Sequence, residues 1–142
     1  MKTLKDVLAV KGSAVLSIRP SDSAFEAMRI MSEHGVGALL VMDGGQIAGM
    51  LSERDVARRI TLDEMPAKLT HASEIMTVRI TCGRPDLTIA EGMAVMTDKR
   101  VRHLPVLDGD RVIGVVSIGD LVKAVIDDQQ FTISQLEHYI AS

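Results

Sequence analysis

Gly49-Met50-Leu51-Ser52-Glu53-Arg54-Asp55 returns 65 residues later as Gly114-Val115-Val116-Ser117-Ile118-Gly119-Asp120, each time after an apolar run. At the same spacing, and without any gap, 13 of the 46 positions from Val15 to Ile60 match their counterparts. The matches include Pro20 and Pro85, Glu26 and Glu91, Met28 and Met93, Met31 and Met96, and Asp43-Gly44 and Asp108-Gly109. They are turn, cap and core positions, so the chain is internally duplicated. A solenoid needs three or more repeats to close its core, whereas two copies of this length predict a compact pair with a pseudo-two-fold axis and paired sites.

A chain of 142 residues fits one domain-sized core. Its apolar share of 46% and charged share of 25% are those of a globular protein, and no apolar run approaches the length of a membrane span. The aromatics are only Phe25, Phe131 and Tyr139, so the core must be aliphatic with nine Met, and base-stacking platforms are missing. Sixteen basic against 19 acidic residues give no positive field to gather phosphate backbones. The expected partners therefore include neither nucleic acid nor membrane. One cysteine excludes an intramolecular disulfide framework, and the first residues carry acid too early for a signal peptide, so the reading is cytoplasmic.

Local patterns divide the chain into a docking segment (1–14), a first repeat (15–62), a linker (63–77), a second repeat (78–126) and a helical tail (127–142). The fold class is α/β (α+β), with two β-α-β-β-α repeats plus terminal helices. In the docking segment Leu4, Val7 and Leu8 share a helical face, closed by Gly12. Val15 to Ile18 reads as a strand ended by Arg19-Pro20. Ser23 with Glu26 caps a helix that buries Ala24, Ala27, Met28 and Met31 and stops at Gly35. Val36–Met42 and Ile47–Ser52 form a hairpin across the turn at Asp43-Gly44. Within the linker Ser73 to Met76 makes a helical turn whose two apolar residues plug the crevice between repeats. The second half repeats the order, with a strand at Ile80–Cys82, the Thr88/Glu91 capping box and a second hairpin. The last helix is expected to pause at Asp127-Asp128, leaving Phe131, Leu136, Tyr139 and Ile140 as an apolar side for a partner.

Serine followed three residues later by aspartate at a helix start is first an N-cap with an acid at N3. Two features point further. The motif follows a strand containing a glycine, where backbone can approach a ligand closely, and it occurs in two equivalent places. A carboxylate so placed can accept two hydrogen bonds from a ribose diol, while the serine hydroxyl and the helix start receive phosphate oxygens.

These residues resemble the paired CBS (cystathionine-beta-synthase) domain, or Bateman module, with its fingerprint Gly-x-x-Ser/Thr-x-x-Asp after the third strand. Arg102-His103-Leu104-Pro105-Val106 followed by Asp108 is similar to another recurring string of the family, and the likeness runs from about Val15 to Ile126. It implies a free-standing, bacterial-type regulatory module that binds an adenine nucleotide (AMP, ADP or ATP, with NADH or S-adenosylmethionine as alternatives) between the repeats and signals to a regulated protein, working as a homodimer. It further implies Asp55 and Asp120 as ribose ligands, Ser52 and Ser117 near ribose or phosphate, and Arg54 and His103 as places from which phosphate is reached. Ser17 and its counterpart, Thr81 or Cys82, would flank adenine. The two copies differ: Ala38 stands at the place of His103, and Gly119 at the place of Arg54, so phosphate affinity should be unequal.

Other chemistries fit poorly. His34, His71, His103 and His138 lack ligand spacing, which disfavours a metal. Cys82 reads as a core residue in an apolar strand, inert by burial. Glu53 and Asp55 face different directions on a helix and do not form an acid-base pair. No catalytic constellation remains, so the reading is a binder and not an enzyme. The alternative is a dimeric adaptor whose nucleotide cleft is vestigial or purely stabilising.

Overall fold

The computed structural model describes residues 2–141, which form two compact units. One is the continuous stretch Leu16–Ile80. The other joins residues 2–15 to residues 81–141. The fold is mixed α and β, with two small sheets and six helices among the described residues. Among them no helix is long and apolar enough to cross a membrane.

In the unit Leu16–Ile80, strand β1 (Ser17–Ile18) runs parallel to β2 (Ala38–Asp43), which pairs antiparallel with β3 (Gln46–Ser52). Helix α2 (Ala24–His34) starts where the Ser23 side chain accepts from the Glu26 amide, and stops at Gly35 in the left-handed region. It buries Ala24, Ala27 and Met31. Gly44 and Gly45 form the two-residue hairpin loop, with φ of 59° and 84°, a pair of positive values that side chains resist. Helix α3 (Glu53–Leu62) leaves β3 directly, and the one-turn helix α4 (Ala72–Ile75) returns to the same core. Ile75 is buried with Ile18, Leu39, Val41, Leu51 and Val56, and Met76 packs against this cluster. The linker residues expected to plug a crevice therefore belong to the core of the first unit.

In the other unit α1 (Leu4–Lys11) covers α5 (Ile89–Lys99), the hairpin β4 (His103–Asp108) and β5 (Arg111–Ser117), and the start of α6 (Ile118–Ala141). Leu4, Val7 and Leu8 are buried with Ile89, Met96, Leu104, Val106, Val116 and Leu121. The strand expected at Ile80–Cys82 does not form. It is reduced to a single parallel bridge from Gly83 to Val106. The cause lies on the neighbouring strand: the Leu40 amide donates to Leu16 in the first copy, and its counterpart is Pro105, which has no N–H. The bridge also settles the register, because Ile18 pairs with Val41 as Gly83 does with Val106, making Cys82 the counterpart of Ser17.

The pause expected at Asp127-Asp128 is likewise absent, since α6 runs unbroken for 24 residues. Lys123 pairs with Asp127 at 3.3 Å and Lys2 with Asp128 at 2.7 Å, so each carboxylate has a cation beside it. Continuity puts Val122, Ile126, Gln129, Ile133, Leu136 and Ile140 on one stripe at alternating spacings of four and three, with all five apolar members exposed.

The two units are completed in the same way by segments from different places in the chain. The amides of Ala72 and Ser73 donate to the carbonyls of Asp22 and Pro20, and the amides of Leu4 and Lys5 donate to Leu87 and Pro85, the equivalent carbonyls. Thus α1 does for the second copy what α4 does for the first. In both, a strand glycine makes room: a Cβ on Gly114 would lie 2.6 Å from Leu8 Cδ2, and one on Gly49 would lie 2.6 Å from Met76 Sδ and 2.9 Å from the Thr77 carbonyl. Gly49→Ala should therefore cost about 1–3 kcal/mol in urea unfolding, because backbone must move. Gly114→Ala should cost less, since only the end of a leucine must yield; a neutral Gly49→Ala would contradict the close approach.

Candidate functional site

Both repeated motifs lie where a strand turns into a helix. Ser52 ends β3, and its side chain accepts from the Asp55 amide at 3.1 Å while Asp55 Oδ2 accepts from the Ser52 amide at 3.4 Å. Ser117 and Asp120 repeat the exchange at 3.0 and 2.8 Å. Each pair thus forms the reciprocal cap that its spacing predicts. All four residues are half-buried, so the carboxylates stand at the edge of solvent.

The sheet registers place the neighbours. Ala38 stands opposite Ser52, and His103 opposite Ser117, so the difference noted between the copies falls on the rung beside each serine. Arg54 is exposed in the first turn of α3. Ser17, also exposed, pairs with Leu40 on β2. In the other unit Thr81 is half-buried just before the Gly83 bridge. Cys82 is exposed there, contrary to its reading as a core residue, and so is its counterpart Ser17 within a formed strand, so this position faces outward in both copies; partial burial of the thiol still raises its pKa. The motif glycines, expected to admit a ligand, instead admit Leu8 and Met76. Ser52, Asp55, Arg54 and Ser17 belong to Leu16–Ile80, whereas Ser117, Asp120, His103, Thr81 and Cys82 belong to the other unit.

Lys11 was not foreseen. From the last turn of α1 its Nζ donates to Asp120 Oδ2 at 2.6 Å and to the Val115 carbonyl at 2.7 Å. The two residues are 109 positions apart, and a lysine ending a helix is ordinarily explained by the helix dipole. The only hint in the sequence was that the apolar face of α1 needed a place to dock. Burial pushes the Asp120 carboxyl up, but the Lys11 ammonium and the Ser117 amide outweigh it and hold the group below its ordinary value of 3.8. Asp55 makes no ion pair among the described residues.

A carboxyl with a lowered folded pKa stabilises the fold above its unfolded pKa and loses that contribution as pH falls through the folded value. Lys11→Met should therefore destabilise by about 0.5–1 kcal/mol at pH 7, a half-exposed pair being discounted for solvent screening. The gap in melting temperature between variant and parent should narrow as pH falls below 3.8. A gap of equal size at pH 7 and pH 3 would assign the loss to packing of the lysine stem.

The sequence profile described as "CBS domain" matches residues 3–62 and 72–127. The mitochondrial CBS domain-containing protein CBSX3 of Arabidopsis thaliana is 35% identical, with 97% of this chain and 71% of that one aligned. The solved structure of a protein with CBS domains from Burkholderia ambifaria MC40-6 superposes with a TM-score of 0.87 at 47% identity, covering 93% of this chain and 99% of that chain. At 22% identity the CBS domain pair of MJ0100, solved in complex with 5′-methylthioadenosine and S-adenosyl-L-methionine, shares the fold with a TM-score of 0.80 over 90% of this chain and 98% of that one. The two matched segments, each with its strand-to-helix Ser-x-x-Asp cap, make this chain a member of the CBS domain family carrying a tandem pair of domains.

Proposed function

We propose that this chain is a ligand-sensing regulatory module that binds an adenosine-derived ligand at the Ser52–Asp55 and Ser117–Asp120 junctions and passes the change to a partner protein. The observation that carries the reading is the duplicated junction itself: in both units a half-buried carboxylate stands at a helix start, held in place by a serine cap. Such a group is oriented by its cap before a ligand arrives and can accept hydrogen bonds from a cis-diol. The adenosine-derived ligands of the MJ0100 domain pair fit the same chemistry. AMP, ADP, ATP, NADH and S-adenosylmethionine share the ribose; Arg54 and His103 are the groups that would separate phosphate-bearing ligands from the others. Ser17 with Cys82, or Thr81, is assigned to the adenine. The ligand is bound and not turned over.

The adaptor reading keeps one specific support, that both carboxylates already have work as caps and Asp120 is also paired with Lys11. Calorimetric titration of AMP, ATP and S-adenosylmethionine decides between the two. A hydrogen bond to a charged acceptor contributes about 1.5–3 kcal/mol, so Asp55→Ala and Asp120→Ala should each weaken binding at their own site roughly tenfold or more. Undiminished affinity with a lowered melting temperature would leave only the caps, and with them the adaptor.

We further infer that the working form is a homodimer joined through α6. Ile126, Ile133 and Ile140 recur every seven residues, as do Val122, Gln129 and Leu136, giving Ile at all three a positions and Val, Gln and Leu at d; β-branched residues at a favour two parallel helices. Ile133→Asp should convert a dimer into a monomer by light scattering at micromolar concentration while leaving the far-ultraviolet spectrum unchanged. A parent protein that is already monomeric overturns the pairing.

A further inference from the structure

We propose that Lys11 is an internal occupant of the second copy's ligand site, one that an incoming nucleoside must displace. The inference rests on the reading that Asp120 receives a ribose. The Lys11 ammonium uses two of its three donors on the Asp120 carboxylate and on the Val115 carbonyl, a strand-end acceptor two residues before Ser117. These are acceptors of the kind a ribose diol seeks, and the ammonium and the Ser117 amide both meet the same oxygen, Oδ2. A hydroxyl arriving there competes with a charge-assisted hydrogen bond, not with water.

The surroundings allow the exchange. Lys11 is the last residue of α1, followed by Gly12 with φ of 103°, while the anchors Leu4, Val7 and Leu8 lie one to two turns back in the core. The ammonium can leave Asp120 without α1 leaving its place. A pocket of about 260 Å³ opens beside the pair, lined by Val7, Val10, Lys11, Asp120, Ala124 and Asp127 among others. It gives the displaced side chain room, and Asp127 offers another carboxylate on its wall.

The first copy is built without this device. Matching the backbone hydrogen bonds that tie α1 and α4 to their units puts Arg79 at the place of Lys11. Helix α4 ends at Ile75, so Arg79 lies outside it, and among the described residues Asp55 has no such cation. The copies therefore divide the work: Asp55 is open to a ligand, and Asp120 answers only one that can dislodge a lysine and thereby loosen the last turn of α1.

Titration of adenosine and of AMP into Asp55→Ala, with and without Lys11→Met, reads the second site alone. Displacement predicts that removing the lysine tightens both ligands by roughly three- to tenfold. Lys11→Gln, which keeps a polar end without the charge, should tighten both in the same direction and stands in if the Met variant folds poorly. Hydrogen exchange at the Lys11 and Gly12 amides of the parent protein should quicken when ligand saturates it. AMP weakened with adenosine unchanged would make Lys11 a phosphate ligand and overturn displacement, as would no change in either. Adding Asp120→Ala separates the two ideas. If the Asp55→Ala protein binds adenosine equally well with and without Asp120, or binds none in any Lys11 variant, the ribose reading has failed beneath the proposal.

Discussion

Each sheet of this protein depends on a strand position with no side chain. At Gly49 and Gly114 the space a Cβ would fill is taken by Met76 and Leu8, and only this allows α4 and α1 to lie against β3 and β5. Small two- and three-stranded sheets cannot stand alone in water, and the covering segments supply the missing layer. The placing of Lys11 follows from the same contact. Leu8 seated on Gly114 brings the end of α1, one turn further on, to the junction where Asp120 begins α6.

What was legible in the sequence was what local chemistry decides. Ser23, Thr88 and the Asp-Gly turns specify helix starts and hairpins from within a few residues, and the repeated Gly-x-x-Ser-x-x-Asp carried the family resemblance. The capping geometry of Ser52, Asp55, Ser117 and Asp120 was readable for the same reason. What failed was non-local. Cys82 looked buried because its stretch is apolar, but its position faces outward as Ser17 does, and the strand expected there failed because of Pro105, more than twenty residues away. The glycine of the motif was assigned to a ligand because its neighbour, Leu8 or Met76, comes from a separate segment. The two aspartates in α6 resembled a break because Lys2, which pairs with one of them, stands at the other end of the sequence.

The duplication kept the frame and released the details. The hairpin ladders and the helix-start caps are shared between the copies, including a bulge at the same place in each hairpin. The charged groups around the two carboxylates are not: Arg54 lies in the first turn of α3, whereas the second copy has Gly119 there and receives its cation from α1. A frame fixed by backbone hydrogen bonds tolerates such drift, because exchanging exposed cations costs little stability while changing what each junction attracts.

The crossed completion of the two units also sets the order in which they can be made. Residues 16–80 are contiguous, so the first unit has all its parts once its own stretch of chain has left the ribosome. The other needs α1, synthesised first, to wait for α5, β5 and α6, synthesised last, with a span of 109 residues between Lys11 and Asp120. Contacts so distant are slow to form, and chains emerge at only about 5–20 residues per second. For several seconds Leu4, Val7 and Leu8 have no surface to cover, and a segment of eight residues holds no stable helix by itself. Helix α1 gains its helical form and its cover together, and the second unit is the last to close.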